Sequence, residues 1–208
     1  MNISLGHETK KFIRLIAIVV TAAVLGIFLG RLVSSYEMRF MLSREYCGTY
    51  RGIDVYKSGH INDSNFLGHI YKLKDAPEKL VECCDTMYFT EDDLPIPDGG
   101  TRYSTALGLT QNRTVYISTY TYYPEVVIHE LFHAYDYSNG LPSENSYDFK
   151  EALKSEKGKL RILTGVAGSY EAEYFATAGA LYVLSPDVLM KAAPKTYKYF
   201  DSLDIMDD

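Results

Sequence analysis

The sequence predicts an α+β fold with a small sheet and a mostly helical C-terminal half. Three observations predict it. Two short β-branched and aromatic runs, Met87-Tyr88-Phe89-Thr90 and Val115-Tyr116-Ile117-Ser118-Thr119, read as strands. Helical periodicity sets in near Tyr123 and recurs almost to the C-terminus. A hydrophobic content of 47% over 208 residues suits one globular domain of about 170 residues, preceded by an N-terminal segment of different character.

That segment, residues 1–35, reads as a cytoplasmic stub and a membrane anchor. Leu15 to Gly30 is a run of 16 residues without a charge, with Lys10, Lys11 and Arg14 before it and Arg31 behind it. Ile13 and Leu32-Val33 extend it toward the roughly 17–25 residues of a spanning helix if the arginines snorkel. The positive flank orients the N-terminus to the cytoplasm and places residues 36–208 across the membrane. The competing reading is a signal peptide cleaved near Val33-x-Ser35, which would release a secreted domain; Arg31 beside the apolar core favours the uncleaved anchor.

Removing Lys10, Lys11, Arg14, Arg31 and Glu8 from the chain's 21 basic and 27 acidic residues leaves 17 against 26, a net charge of −9 from Tyr36 onward. Such a domain repels phosphate backbones and is not expected to bind nucleic acid. Cys47, Cys83 and Cys84 allow one disulfide, Cys47 to either of the others, or buried thiols.

In chain order, Tyr36 to Tyr50 reads as helix and linker and Asp75 to Leu80 as a short helix. Met87 to Thr90 is a strand, and Leu94-Pro95-Ile96-Pro97-Asp98-Gly99-Gly100 is a loop. Val115 to Thr119 is a strand whose edge is offered to an extended peptide. Helices follow at Ser146 to Lys157, at about Tyr170 to Leu184, and from Pro186 to the C-terminus in one or two pieces. His60 and His69 lack ligand spacing and read as surface residues.

The informative helix begins near Pro124, a residue suited to the first helical position, and ends at Ser138-Asn139-Gly140, with Gly140 a left-handed cap. Val127, Leu131 and Ala134, broadened by Ile128 and Phe132, form its apolar stripe. It carries His129-Glu130-Leu131-Phe132-His133. Positions i and i+4 lie one above the other, so His129 and His133 project from one face, spaced for a single ion. Glu130 is placed to take the proton of a metal-bound water. The pattern is that of a zinc hydrolase of the metalloprotease type.

A third ligand is expected on another helix. Ser169-Tyr170-Glu171-Ala172-Glu173-Tyr174-Phe175-Ala176 carries two carboxylates in small, apolar surroundings. Ser169 fits the N-cap and Glu171 the first turn, where the helix dipole accounts for a carboxylate. Glu173 lies deeper on a face lined by Ala176, Thr177 and Ala180. Periodicity favours Glu173 and leaves Glu171 open. Asp136 has two readings, orienting a ligand imidazole or a solvated residue near the helix end.

Three stretches give the chain a family resemblance: Val127 to Asp136, Glu171 to Ala176, and Lys191-Ala192-Ala193-Pro194-Lys195-Thr196-Tyr197. They resemble the catalytic domain of anthrax toxin lethal factor and its relatives, the Pro-Pro endopeptidases among them. The resemblance implies a zincin-like metalloprotease domain holding one Zn²⁺ through His129, His133 and Glu173, with Glu130 as base, acting on a peptide or protein substrate. Two positions depart from the family pattern. Val166 stands where the family has an oxyanion-steadying tyrosine, Tyr170 nearby reads either as a substitute reached by a local loop shift or as an ordinary first-turn residue, and Thr177 replaces a glutamate. The resemblance therefore also admits a second class, a membrane-tethered binding or regulatory protein that keeps the fold without turnover.

Overall fold

The structure, a computed structural model, describes residues 44–58, 60–92, 94–95, 105–164 and 171–206. The expected anchor over residues 1–35, together with Val166, Ser169 and Tyr170, lies outside the described residues. Among those described, no helix is long and apolar enough to cross a membrane.

The chain enters the sheet through two strands, β1 (Arg44–Tyr50) and β2 (Ile53–Ser58), joined by Arg51-Gly52 at φ 50° and 83°. Positive φ at both turn residues is what a two-residue hairpin of matching twist requires. The expected helix and linker over Tyr36 to Tyr50 is therefore corrected from Arg44 onward. Alternating tyrosines and small polar residues there support a pleated strand, and the Arg-Gly pair was the turn signal. Helix α1 (Asp63–Lys72) follows, its first turn capped by the Asn62 side chain, which accepts from the amides of Ser64 and Asn65. A 3₁₀ turn (Leu73–Asp75) and short helix α2 (Glu78–Val81) flank Pro77 and split the helix expected over Asp75 to Leu80.

Strands β3 (Thr86–Thr90), β6 (Gly108–Gln111) and β7 (Thr114–Ser118) complete a five-stranded sheet in the order β1-β2-β3-β7-β6. β2, β3 and β7 run parallel, and β6 pairs antiparallel to β7. Two dipeptide strands, β4 (Leu94–Pro95) and β5 (Thr105–Ala106), pair separately. The expected loop over Leu94 to Gly100 thus begins with a strand, in which Leu94 is fully buried. The strand expected before the metal helix is present as β7, but it lies between β3 and β6. Its edge is closed, and among the described residues the outer strand is β6, which corrects the expectation of a free edge on this strand.

Register sorts the sheet into two faces. Val55, Met87 and Val115 align on the buried face, with Phe89 beside Ile117. Tyr56, Tyr88 and Tyr116 align on the other and stack, with ring centroids 5.0 Å and 5.2 Å apart. Helix α3 (Val126–Ser138) packs on β6 and β7. The expected stripe of Val127, Ile128, Leu131, Phe132 and Ala134 is fully buried. Gly140 (φ 77°) ends the helix, and Leu141, itself left-handed at φ 58°, donates its amide to Asp136 O.

The helical half comprises α4 (Pro142–Asn145), α5 (Tyr147–Thr164), α6 (Glu171–Leu184), α7 (Pro186–Ala192) and α8 (Pro194–Asp201). Phe132, Phe149, Phe175 and Phe200 join α3, α5, α6 and α8 in one aromatic cluster, with centroids 5.1–6.4 Å apart. α6 comes close to α3 because Gly179 has no side chain: a Cβ there would sit 2.4 Å from Phe132 Cδ1. A buried network locks α6 from the other side. Glu156 of α5 accepts from the amides of Lys195 and Thr196 in the first turn of α8 and from Thr196 Oγ1, which also pairs with Tyr174 Oη at 2.9 Å. The third resemblance stretch, ending at Tyr197, is thus the piece that seats the helix carrying Glu173.

Two further expectations change. His69 is not a surface residue: it is fully buried, its Nδ1 lies 2.7 Å from Asn65 O, and its Nε2 has no hydrogen-bond partner among the described residues. His60 is exposed, as expected. The cysteines are free thiols, Cys47 exposed and Cys83 and Cys84 buried, so the disulfide alternative is not formed.

Candidate metal centre

α3 and α6 bring four side chains together. His129 Nε2 and His133 Nε2 are 3.2 Å apart. Glu173 spans them, Oε2 lying 3.4 Å from His129 Nε2 and Oε1 3.4 Å from His133 Nε2. Glu171, two residues away and exposed, points elsewhere. The two alternatives left open by periodicity thus separate geometrically, because residues two apart on a helix differ by some 200° around its axis.

The spacing can be tested against an ion. Zinc–nitrogen bonds of about 2.0–2.1 Å in a tetrahedron put neighbouring donors about 3.3 Å apart. The 3.2 Å between the two imidazole nitrogens fits one edge of that tetrahedron, and the Glu173 carboxylate straddles the pair with one oxygen 3.4 Å from each. Two imidazoles and one carboxylate are also the donor chemistry zinc takes. Glu130 Oε1 lies in the same cluster, 4.0 Å from His129 Nε2. That is too long for a fourth corner, and the carboxylate is engaged elsewhere.

Electrostatics agree with a place built for a cation. The two histidines hold the Glu173 carboxyl well below the usual carboxylate range, against the opposing effect of its partial burial. Burial pushes His133 down, but the Glu173 hydrogen bond and the charges of Glu130, Glu173 and Asp136 outweigh it and raise the imidazole.

Glu130 is 4% exposed. Its Oε2 accepts a 2.7 Å hydrogen bond from Thr110 Oγ1 on β6. A Cβ on Gly108 would fall 2.4 Å from Glu130 Oε1. Neither β6 residue was visible to sequence reasoning, since the only local signal was a Gly-x-Thr in an unremarked strand. Asp136 fits neither of its two readings. It is buried, and both oxygens are taken by Ser143, Oδ1 by the backbone amide at 2.8 Å and Oδ2 by the hydroxyl at 2.6 Å. It anchors the turn after α3 rather than an imidazole.

A family model described as anthrax toxin lethal factor, N- and C-terminal domain, matches residues 84–203, more than half the chain and all three resemblance stretches. The chain belongs to this family. Its fold is similar to the solved structure of the Pro-Pro endopeptidase PPEP-2 from Paenibacillus alvei, at 20% sequence identity and a TM-score of 0.57. The likeness covers 72% of this chain and 96% of that one. No curated protein sequence matches the chain. The family match begins at Cys84, so β3, β6 and β7 fall within it along with helices α3 to α8.

Proposed function

We propose that the domain is a zinc-dependent endopeptidase that cleaves peptide bonds with Glu130 as its base. The observation that carries the reading is the pair of imidazole nitrogens of His129 and His133 3.2 Å apart, straddled by the Glu173 carboxylate, with a second, buried carboxylate beside them. The family, and the peptidase named in the similar structure, support the same chemistry.

Bound zinc would supply Lewis acidity toward water and the scissile carbonyl. His129 and His133 offer their Nε2 lone pairs and must be neutral to do so, while Glu173 supplies the balancing charge. Glu130 Oε1 faces His129 and is the oxygen positioned to take a proton from the attacking water and return it to the leaving amine. An extended substrate pairs with the outer edge of β6, which lies directly under Glu130.

Peptide hydrolysis by the domain from Tyr36, on a library that includes Pro-Pro sequences, is the test. Glu130→Gln keeps the side chain's shape and its bond to Thr110 but removes the base. We expect zinc content and folding to survive and the rate to fall by about 10²–10⁴-fold. Equal cleavage by wild type and Glu130→Gln would refute this mechanism. A second reading, a metal-holding binding protein without turnover, rests on Val166 in the family's tyrosine position. A wild type inactive on every peptide, with zinc bound, would favour it.

A further inference from the structure

Glu130 is more constrained than a base on an open face would be, and both constraints come from one strand. Gly108 and Thr110 are two residues apart on β6 and therefore share a face. Thr110 Oγ1 is 2.7 Å from Glu130 Oε2 and 3.0 Å from Glu130 O. A hydroxyl has one proton, and the charged acceptor at the shorter distance takes the greater share of it. Gly108 contributes by absence: any Cβ would lie 2.4–2.5 Å from Glu130 Cγ, Cδ and Oε1. No side chain but hydrogen fits between the strand and the carboxylate.

The two contacts give the two oxygens different roles. Oε2 is turned into β6 and held. Oε1, over Gly108, is left facing His129 at 4.0 Å. We infer that Thr110 and Gly108 are positioning residues that fix the carboxylate of Glu130 in its proton-transfer orientation. The inference rests on the peptidase reading above. It makes β6 serve twice, with its outer edge toward substrate and its buried face toward the base. A shift of about 1 Å in a reacting group can cost on the order of 10²-fold in rate, so a strand that sets the carboxylate this closely has catalytic consequences.

A merely structural role for Thr110 is the competing account, since a buried carboxylate needs a hydrogen-bond partner in any case. Thr110→Val and Thr110→Ser separate the two, because valine keeps the volume and serine keeps the hydroxyl. For Thr110→Val we expect kcat to fall at least about tenfold with KM, zinc content and circular dichroism unchanged. Thr110→Ser should recover most of kcat. A second measurement uses the metal-free protein and needs no turnover: Gly108→Ala should lower the melting temperature when Glu130 is present and have little effect in a Glu130→Ala background, where the clashing side chain is gone.

Unchanged kcat in Thr110→Val, while wild type is active, overturns the inference and leaves the peptidase reading standing. So does a Thr110→Val protein that loses zinc or folding and is not rescued by serine. So does a Gly108→Ala penalty that persists without the Glu130 side chain. A wild type with no hydrolysis of any peptide overturns the peptidase reading and this inference with it.

Discussion

At the scale of single residues, the centre depends on which of two carboxylates two positions apart faces the histidines. Glu173 lies 3.4 Å from each Nε2, and Glu171 is exposed on another side of the helix. We therefore expect Glu173→Gln to weaken zinc binding by more than the roughly 10–100-fold that the loss of an outer partner costs. Glu171→Gln should leave it nearly intact, as read by titration against a competing chelator. The reverse result would put the wrong carboxylate in the site. The histidines were legible because i and i+4 geometry is local. Glu173 over Glu171 was legible only as a preference, since helix phase depends on what the helix packs against. Thr110 and Gly108 were not legible, because both act on a residue twenty or more positions away that only the fold brings near.

At the scale of elements, long periodic segments were readable and the N-terminal half was not. α3 and α6 stand where their stripes put them, because burial of an apolar face decides a helix of 13 or 14 residues. β1, β2 and α1 escaped: their strands mix tyrosine with charge, and α1 places His69 on its buried face among Phe66 and Phe89. That placement has a pH consequence. Burial lowers the His69 imidazole below its ordinary 6.5, outweighing the Asn65 carbonyl and the charge of Glu125. The folded chain then binds fewer protons at this position than the unfolded one. Stability is unaffected by it above pH 6.5 and is lost as pH falls from there toward the lower folded value. Melting temperatures of wild type and His69→Gln, followed from pH 7.5 to 5, are the check. We expect the wild-type curve to fall more steeply below about 6.5. Parallel curves would mean that folding leaves proton binding at His69 unchanged.

At the scale of the whole molecule, the open matter is where this acidic domain works. The 16-residue run from Leu15 to Gly30 is flanked by cations on both sides, and the net −9 from Tyr36 onward belongs to the domain alone. The four side chains of the candidate metal centre lie on α3 and α6, within the domain. We propose that the segment sets location, holding the domain on the extracytoplasmic side of a membrane. A signal peptide would do the same work of export but release the product. The two differ in the mature chain. For an anchor, the full chain should sediment with membranes, resist washing with high salt and alkaline carbonate, and dissolve in detergent with residues 1–35 still attached. The chain from Tyr36 should be soluble by itself and bind zinc equally well. Salt resistance matters, because a domain of this charge has no electrostatic reason to adhere to anionic lipid and only apolar insertion would hold it. A soluble product beginning at Ser35 or Tyr36 would instead establish cleavage. Recovery of the intact full chain in the soluble fraction would remove both membrane readings.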